Sequence, residues 1–543
     1  MPPRWTDPLP RIAGLALTVG LLAAPVRAEP PLVASDWLSG SLAVPRESSA
    51  WRPGDGVPAD ARPPGPRPQA VARSGAAGDV LVTRLGAGDP DATGTVPPRK
   101  LGLPADLWGR TPAPDLARAI AATDPRLPVL RGLLRQLLLT QFRAAPVSDL
   151  ADQGKLHLAR VDGLLDMAAL AQARALIEVA GTPDADRFRR LFDIALIEGR
   201  EQQACKMMDA TPGIAPSFQA RVYCLAMGGD WAAASTVFYA ADALGLIDRQ
   251  MAPLLAHFLD DSLVDQPGSL TAPRPVTPLA FRILEAIGQP LPTTGLPLAM
   301  AHADLRANGG WKARLEAAER LARVGALEAA TLRAIYTEQK PAASGGVWDR
   351  AAALQALDLA LTGGDPDRIA TALAEASAHF ASAGLADALA AMIAPDLPPA
   401  LTGTGTATGT GGDSGAPDDA AMLRLWAGLP VTPTDAALAE LAVMAAHRRL
   451  PPRADPPPTP SLLPEALAEG LTDAARDAAQ PDPDQRGAAL LAAISDTDAA
   501  LAGDLTRGAR GLAVLRALGL EEQAWLAAVQ IALWPRLSPD GRP

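Results

Sequence analysis

From Leu101 onward, apolar residues recur every three or four positions between recognisable helix start and stop signals. After Thr182-Pro183-Asp184, the residues Phe188, Leu191, Phe192, Ala195 and Leu196 fall on one helical face, and Gly199 closes the helix. Gly363-Gly364-Asp365-Pro366 opens another, in which Ile369, Leu373, Ala376 and Phe380 keep the helical spacing as far as Gly384. Interruptions fall at Gln266 to Thr277, Thr402 to Pro417 and Pro451 to Pro460. The pattern predicts an all-α fold of helical hairpins in segments 101–265, 278–400 and 418–537, with 402–417 as a Gly/Thr linker. Residues 29–100 lack this periodicity and carry proline pairs at 63–64 and 97–98, the signature of a flexible, polyproline-type tail. Two local patterns stand out within it. Leu32 to Leu38, with Trp37 and Leu38 as anchors, reads as a docking peptide; Asp79 to Leu85 alternates like a lone strand that either adds to a sheet edge or stays unstructured.

The first residues have a different logic. Arg4 and Arg11 flank an apolar run, Ile12 to Ala24, too short to span a bilayer and followed by Val26-Arg27-Ala28 with small residues at positions −3 and −1. Residues 1–28 therefore read as a secretory signal peptide cleaved after Ala28, which makes the mature chain periplasmic and not membrane-inserted. Losing Arg4, Arg11, Arg27 and Asp7 moves the formal charge from −11 to −13. An acidic chain without a basic stripe argues against nucleic acid and against anionic lipid headgroups. An apolar content of 48% is ample for buried cores, whereas 4% aromatic residues is thin for an all-β protein. Abundant alanine and only five lysines fit the coding bias of a high-GC genome.

Cys205 and Cys224 are the two cysteines, and they lie on helical patterns either side of the turn Thr211-Pro212-Gly213-Ile214-Ala215-Pro216. Residues equidistant from the turn of an antiparallel hairpin sit at similar height, so the sulfurs are expected to bond in an oxidising compartment. The other reading is a pair of buried thiols serving as small apolar residues.

Gly199-Arg200-Glu201-Gln202-Gln203-Ala204, Gly229-Asp230-Trp231-Ala232-Ala233-Ala234 and Gly519-Leu520-Glu521-Glu522-Gln523-Ala524 share a glycine, four residues and an alanine at a helix start. This recurrence resembles tetratricopeptide-like helical repeats, which implies an α-solenoid with a concave face for a protein partner. A second recurrence, Gly-Gly before tryptophan, precedes Trp231, Trp311 and Trp348. Left-handed glycines would end one helix there, and the three tryptophans would either line a ligand stripe or plug the gaps between hairpins. Leu103-Pro104-Ala105-Asp106-Leu107-Trp108 and Pro341 to Arg350 are similar to segments of uncharacterised exported proteins of α-proteobacteria, a resemblance that implies export and supplies no activity.

Candidate chemistry is sparse. Gly411 to Pro417 resembles the Gly-Asp-Ser-Gly-Gly-Pro signature of trypsin-like proteases, but Ser414 follows a Thr/Gly run and has no histidine motif upstream. Thr402 to Thr410 resembles one row of an ice-binding face, where many rigid rows are needed. The five histidines show no metal-ligand spacing and are expected to be exposed or capping; Asp482-Pro483-Asp484 lacks the rest of a calcium loop, and no phosphate loop or dinucleotide fingerprint occurs. No metal or cofactor is implied. Soluble lytic transglycosylases are similar in their alanine-rich helical part, but the one Glu-Ser pair weighed against their catalytic motif, Glu47-Ser48, lies in the proline-rich tail. The sequence therefore favours a non-enzymatic helical-repeat scaffold for an envelope protein partner, with Trp37, Leu38, Trp231, Trp311 and Trp348 as candidate contacts. The alternative is an enzyme acting on cell wall or polysaccharide with an unrecognised site.

The mature protein is expected to begin at Glu29, which amino-terminal sequencing of the exported fraction checks; a chain retaining Leu15 to Leu22 would be a membrane-anchored one.

Overall fold

Short polar side chains set where the helices begin. Asp184 accepts the Arg187 amide at 2.9 Å, Ser217 the Ala220 amide at 3.1 Å, Asp230 the Ala233 amide at 3.0 Å and Asp504 the Arg507 amide at 3.0 Å. Each satisfies an amide that the first turn would otherwise leave unpaired. The computed structural model describes residues 88–260, 270–306, 309–398, 416–450 and 461–537. Among these, the regular elements are α- or 3-10 helices, joined by one isolated parallel bridge between Val96 and Thr140. The fold is all-α. The expected signal peptide, the expected tail as far as residue 87 with Trp37, Leu38 and Asp79–Leu85, and the expected linker as far as Gly415 with Ser414 lie outside the described residues.

The glycine recurrence has a common geometry. Gly199, Gly229, Gly364, Gly384, Gly503 and Gly519 all have φ between +65° and +90°, a left-handed conformation that costs other residues strain. In each case a helix starts two residues later, at Glu201, Trp231, Pro366, Ala386, Leu505 and Glu521. The residue five after the glycine (Ala204, Ala234, Ile369, Leu389, Gly508, Ala524) is always buried. At Gly508 the approach is so close that a Cβ would lie 2.7 Å from Ala500 Cβ. Consecutive helices pack on one another: Phe218–Met227 on Trp231–Ala243, Val347–Gly363 on Pro366–Ser382, and Arg486–Asp498 on Leu505–Ala517. Cys205, on Glu201–Ala210, and Cys224 form a disulfide with Cα atoms 5.2 Å apart.

Part of the expected tail is folded. Gly88 to Lys100 belongs to the folded body, because Asp91, 1% exposed, caps a helix more than 60 residues away. Its carboxylate accepts the amides of Gly154 at 2.9 Å and His157 at 2.7 Å, at the start of Lys155–Asp166. Beneath it the fully buried Arg160 donates to the carbonyls of Leu138, Thr93 and Thr140 at 2.8–2.9 Å. Proline content reports local backbone preference and is blind to such distant partners.

The first described helices also meet the last. Asp498, at the end of Arg486–Asp498, accepts the Arg126 amide at 2.7 Å and the buried Leu127 amide at 2.9 Å. The same carboxylate receives Arg126 Nε at 3.1 Å. Gln530, on Glu521–Leu537, accepts the Val129 amide at 3.1 Å and donates to the Trp426 carbonyl at 3.0 Å. Pro128–Leu139 is thereby capped by two side chains from the far end of the chain. Nearby, the Gly487 amide donates to Leu107 O at 2.9 Å, and a Cβ on Gly487 would lie 2.4 Å from the Trp108 ring.

Asp498→Ala leaves the Leu127 amide buried and unpaired, so it should cost about 2–4 kcal/mol, and Asp498→Asn, which keeps an acceptor, less. Urea unfolding at unchanged m-value measures both; an unmoved midpoint in Asp498→Ala would remove the clasp from the list of stabilising contacts.

Candidate functional site

Folding buries most large apolar side chains, so those left outside close together in the chain stand out. Among the described residues the exposed large hydrophobics are scattered singly except on one hairpin, where Met227, Trp231, Tyr239, Leu244 and Leu246 gather within 20 residues. Trp231 is 48%, Tyr239 63% and Leu244 73% exposed. The helix Trp231–Ala243 turns Ala234, Phe238 and Ala241 inward at helical spacing and leaves Tyr239 outside; Trp231, two turns before Phe238 on the same side, is half exposed as the first residue of the helix and packs on Phe258. Its start is fixed by the Asp230 cap, and its end is followed by Gly245 in the left-handed conformation.

Aromatic packing supports both exposed rings. Trp231 lies against Phe258 with ring centroids 5.6 Å apart, and Phe258 stacks on Tyr223 at 5.6 Å. Tyr239 sits edge-on to Phe238 at 5.2 Å. The disulfide holds the helix beneath, since Cys224 lies on Phe218–Met227, against which Trp231–Ala243 packs. Burial pushes the Tyr223 hydroxyl up to about 12, so it stays a neutral part of this support. A face built this way loses little side-chain entropy on meeting a partner.

The other sequence candidates are placed differently. Trp311 is buried and donates its Nε1 hydrogen to Ile335 O at 2.7 Å. Trp348 is half-buried against it, with centroids 5.1 Å apart. These two fill the space between Trp311–Arg323 and Val347–Gly363, and among the described residues no ring contact links them to Trp231. Of the two readings, a ligand stripe or gap-plugging, Trp311 and Trp348 follow the second, and the stripe is not assembled. The glycine expectation also fails at Gly310, whose φ is −65°; at Gly309 a Cβ would lie 2.9 Å from Asp304 O, so close approach requires the glycine there. Sequence reasoning passed over Tyr239, Leu244 and Leu246. The available signal was Phe238-Tyr239, adjacent aromatics that must point to different sides of one helix.

Two histidines correct the expectation that all are exposed or capping. His157 is fully buried, with Nδ1 3.4 Å from Thr93 Oγ1 and Nε2 without a partner. Half-buried His302 directs Nε2 to Ala168 O at 2.8 Å. Among the described residues no group of three His, Cys, Asp or Glu side chains converges as a metal site would require. No family model, curated protein or solved structure matches this chain.

Desolvation, with the nearby charges of Arg160 and Arg187, lowers the His157 pKa to about 3. The unfolded chain takes up that proton near pH 6.5, so His157 contributes stability in full above about pH 6.5 that is lost as pH falls toward 3. His157→Gln should flatten the stability profile across this window by up to about 1.4 kcal/mol per pH unit, read from urea midpoints at matched pH. Identical slopes for the two proteins would assign the acid sensitivity to other groups.

Proposed function

We propose that this chain is an exported, non-enzymatic helical-repeat scaffold, an α-solenoid, that holds a protein partner in the cell envelope. The observation that carries the reading is the concentration of exposed apolar side chains, Trp231, Tyr239, Leu244 and Leu246, on one helix and the loop that follows it. Exposed tryptophan and tyrosine on a rigid helix supply contact area of the kind that dominates protein interfaces. The recurrent glycine-led helix starts support the repeat reading, since each sets one helix against the previous one with a buried residue at the same offset. The Cys205–Cys224 disulfide suits an oxidising compartment and agrees with the export pattern in residues 1–28.

On this reading the helical face does most of the binding, and the Leu32–Leu38 peptide adds to it. The test is crosslinking in the exported fraction with wild type, with Tyr239→Asp/Leu244→Asp, and with residues 29–87 removed. That deletion stops short of Asp91, which the fold needs. The double variant should lose capture of the partner while its melting temperature stays within a few degrees, because both side chains are solvent-facing. The deletion should weaken capture without abolishing it. Equal capture by the double variant, or turnover of peptidoglycan by the purified chain, would overturn the scaffold reading.

A further inference from the structure

A partly open cavity of about 550 Å3 lies where the first helices meet the last, and its wall draws residues from widely separated parts of the sequence. Its charges are sorted by depth. Asp124 and Asp166 are exposed at the rim, whereas Arg131, Arg320, Arg323 and Asp387 are partly buried in the wall.

How the arginines are held decides how much charge they keep. Arg131 donates to the carbonyl of Arg323 at 2.7 Å and lies 3.5 Å from Asp387. Arg320 donates to the hydroxyl and the carbonyl of Thr293, each at 2.9 Å. Arg323 Nε donates to Ala383 O at 2.9 Å; its carboxylate neighbour Glu319, 3.7 Å away, is already gripped by Arg350 through two contacts of 2.7 Å. Carbonyls and hydroxyls orient a guanidinium without cancelling its charge; the lining carries four arginines, of which Arg126 is paired with Asp498, against three carboxylates, Asp387 in the wall and Asp124 and Asp166 at the rim. Arg131 Nε is buried without an acceptor, and Arg135, one turn further along the same helix, adds a second buried Nε without one.

One side of the cavity is aromatic. Half-buried Trp534 faces it, and Trp426 backs Trp534 at a centroid distance of 6.0 Å while donating Nε1 to Asp387 at 2.9 Å. The geometry points to a binding site for a small acidic sugar. Its carboxylate or phosphate would sit on Arg131, Arg320 and Arg323, its ring against Trp534, and its hydroxyls toward Asp124 and Asp166. The volume suits one or two sugar rings, and the site is separate from the apolar face on Trp231–Ala243.

The test is calorimetric titration of the full chain with N-acetylmuramic acid, digalacturonic acid and glucose 6-phosphate. Neutral N-acetylglucosamine, acetate and inorganic phosphate are the controls. At least one acidic sugar should bind at roughly millimolar or tighter and quench tryptophan fluorescence, and the controls should bind about tenfold more weakly or not at all. Arg320→Gln and Arg323→Gln should each weaken the acidic sugar about tenfold, with Arg320→Lys retaining more, and Trp534→Ala should abolish the quench. Thermal melts establish that each variant is folded. The proposal is overturned if no acidic sugar binds at about 10 mM, if neutral sugar binds equally well, or if both folded glutamine variants bind like wild type. Inorganic phosphate or acetate binding as tightly as the sugars would make this an anion site only and overturn the assignment to sugars.

Discussion

The structure turns on a carboxylate that reaches across 372 residues. Asp498 takes the amides of Arg126 and Leu127 and the guanidinium of Arg126, a position where a local capping residue would ordinarily suffice. Pro128–Leu139 starts with Leu127 and Pro128, neither of which has a side chain that can accept a hydrogen bond. Its first turn is therefore completed only by tertiary contact, from Asp498 and Gln530 together. The cavity lies against this closure, since Arg126, Pro128 and Arg131 line it alongside Trp426 and Trp534. Asp91 repeats the device on a smaller scale at the start of Lys155–Asp166, where Gly154 has no side chain to cap with.

These distant caps separate what was legible in the sequence from what was not. Helices with their own cap, such as those begun by Asp184, Ser217 and Asp365, have both signal and structure within four residues. The pairing of Cys205 with Cys224 was legible for the same reason, because hairpin symmetry is a local property. Asp91 sits in proline-rich sequence and works on residues 154 and 157, so its role has no periodicity to betray it. The cavity arginines were equally silent. Arg131 and Arg320 are ordinary polar members of amphipathic helices until the chain brings them together, although two arginines four apart on the leucine-rich helix Pro128–Leu139 were a visible oddity.

Tryptophan shows the same division on one residue type. The sequence groups Trp231, Trp311 and Trp348 by their preceding glycines, yet the structure buries one, half-buries another against it and leaves the third outside. Glycine pairs determine how a helix begins, and the density of neighbours determines whether its first side chain meets protein or water. Trp231 stays half exposed because it is the first residue of its helix, with Phe258 against its ring. Trp311 goes inside because Ile335 offers a carbonyl for its indole N–H and Trp348 covers its ring.

The clasp at Asp498 also imposes an order on the birth of the molecule. A ribosome adding roughly 5–20 residues per second delivers Asp498 some 20–75 s after Arg126 and Leu127 have been made. Throughout that interval the start of Pro128–Leu139 has no capping partner, and the leucines at 130, 133, 134, 137 and 138 have only part of their eventual cover. A chain ending before Asp498 would thus lose the cap on an early helix as well as its late helices.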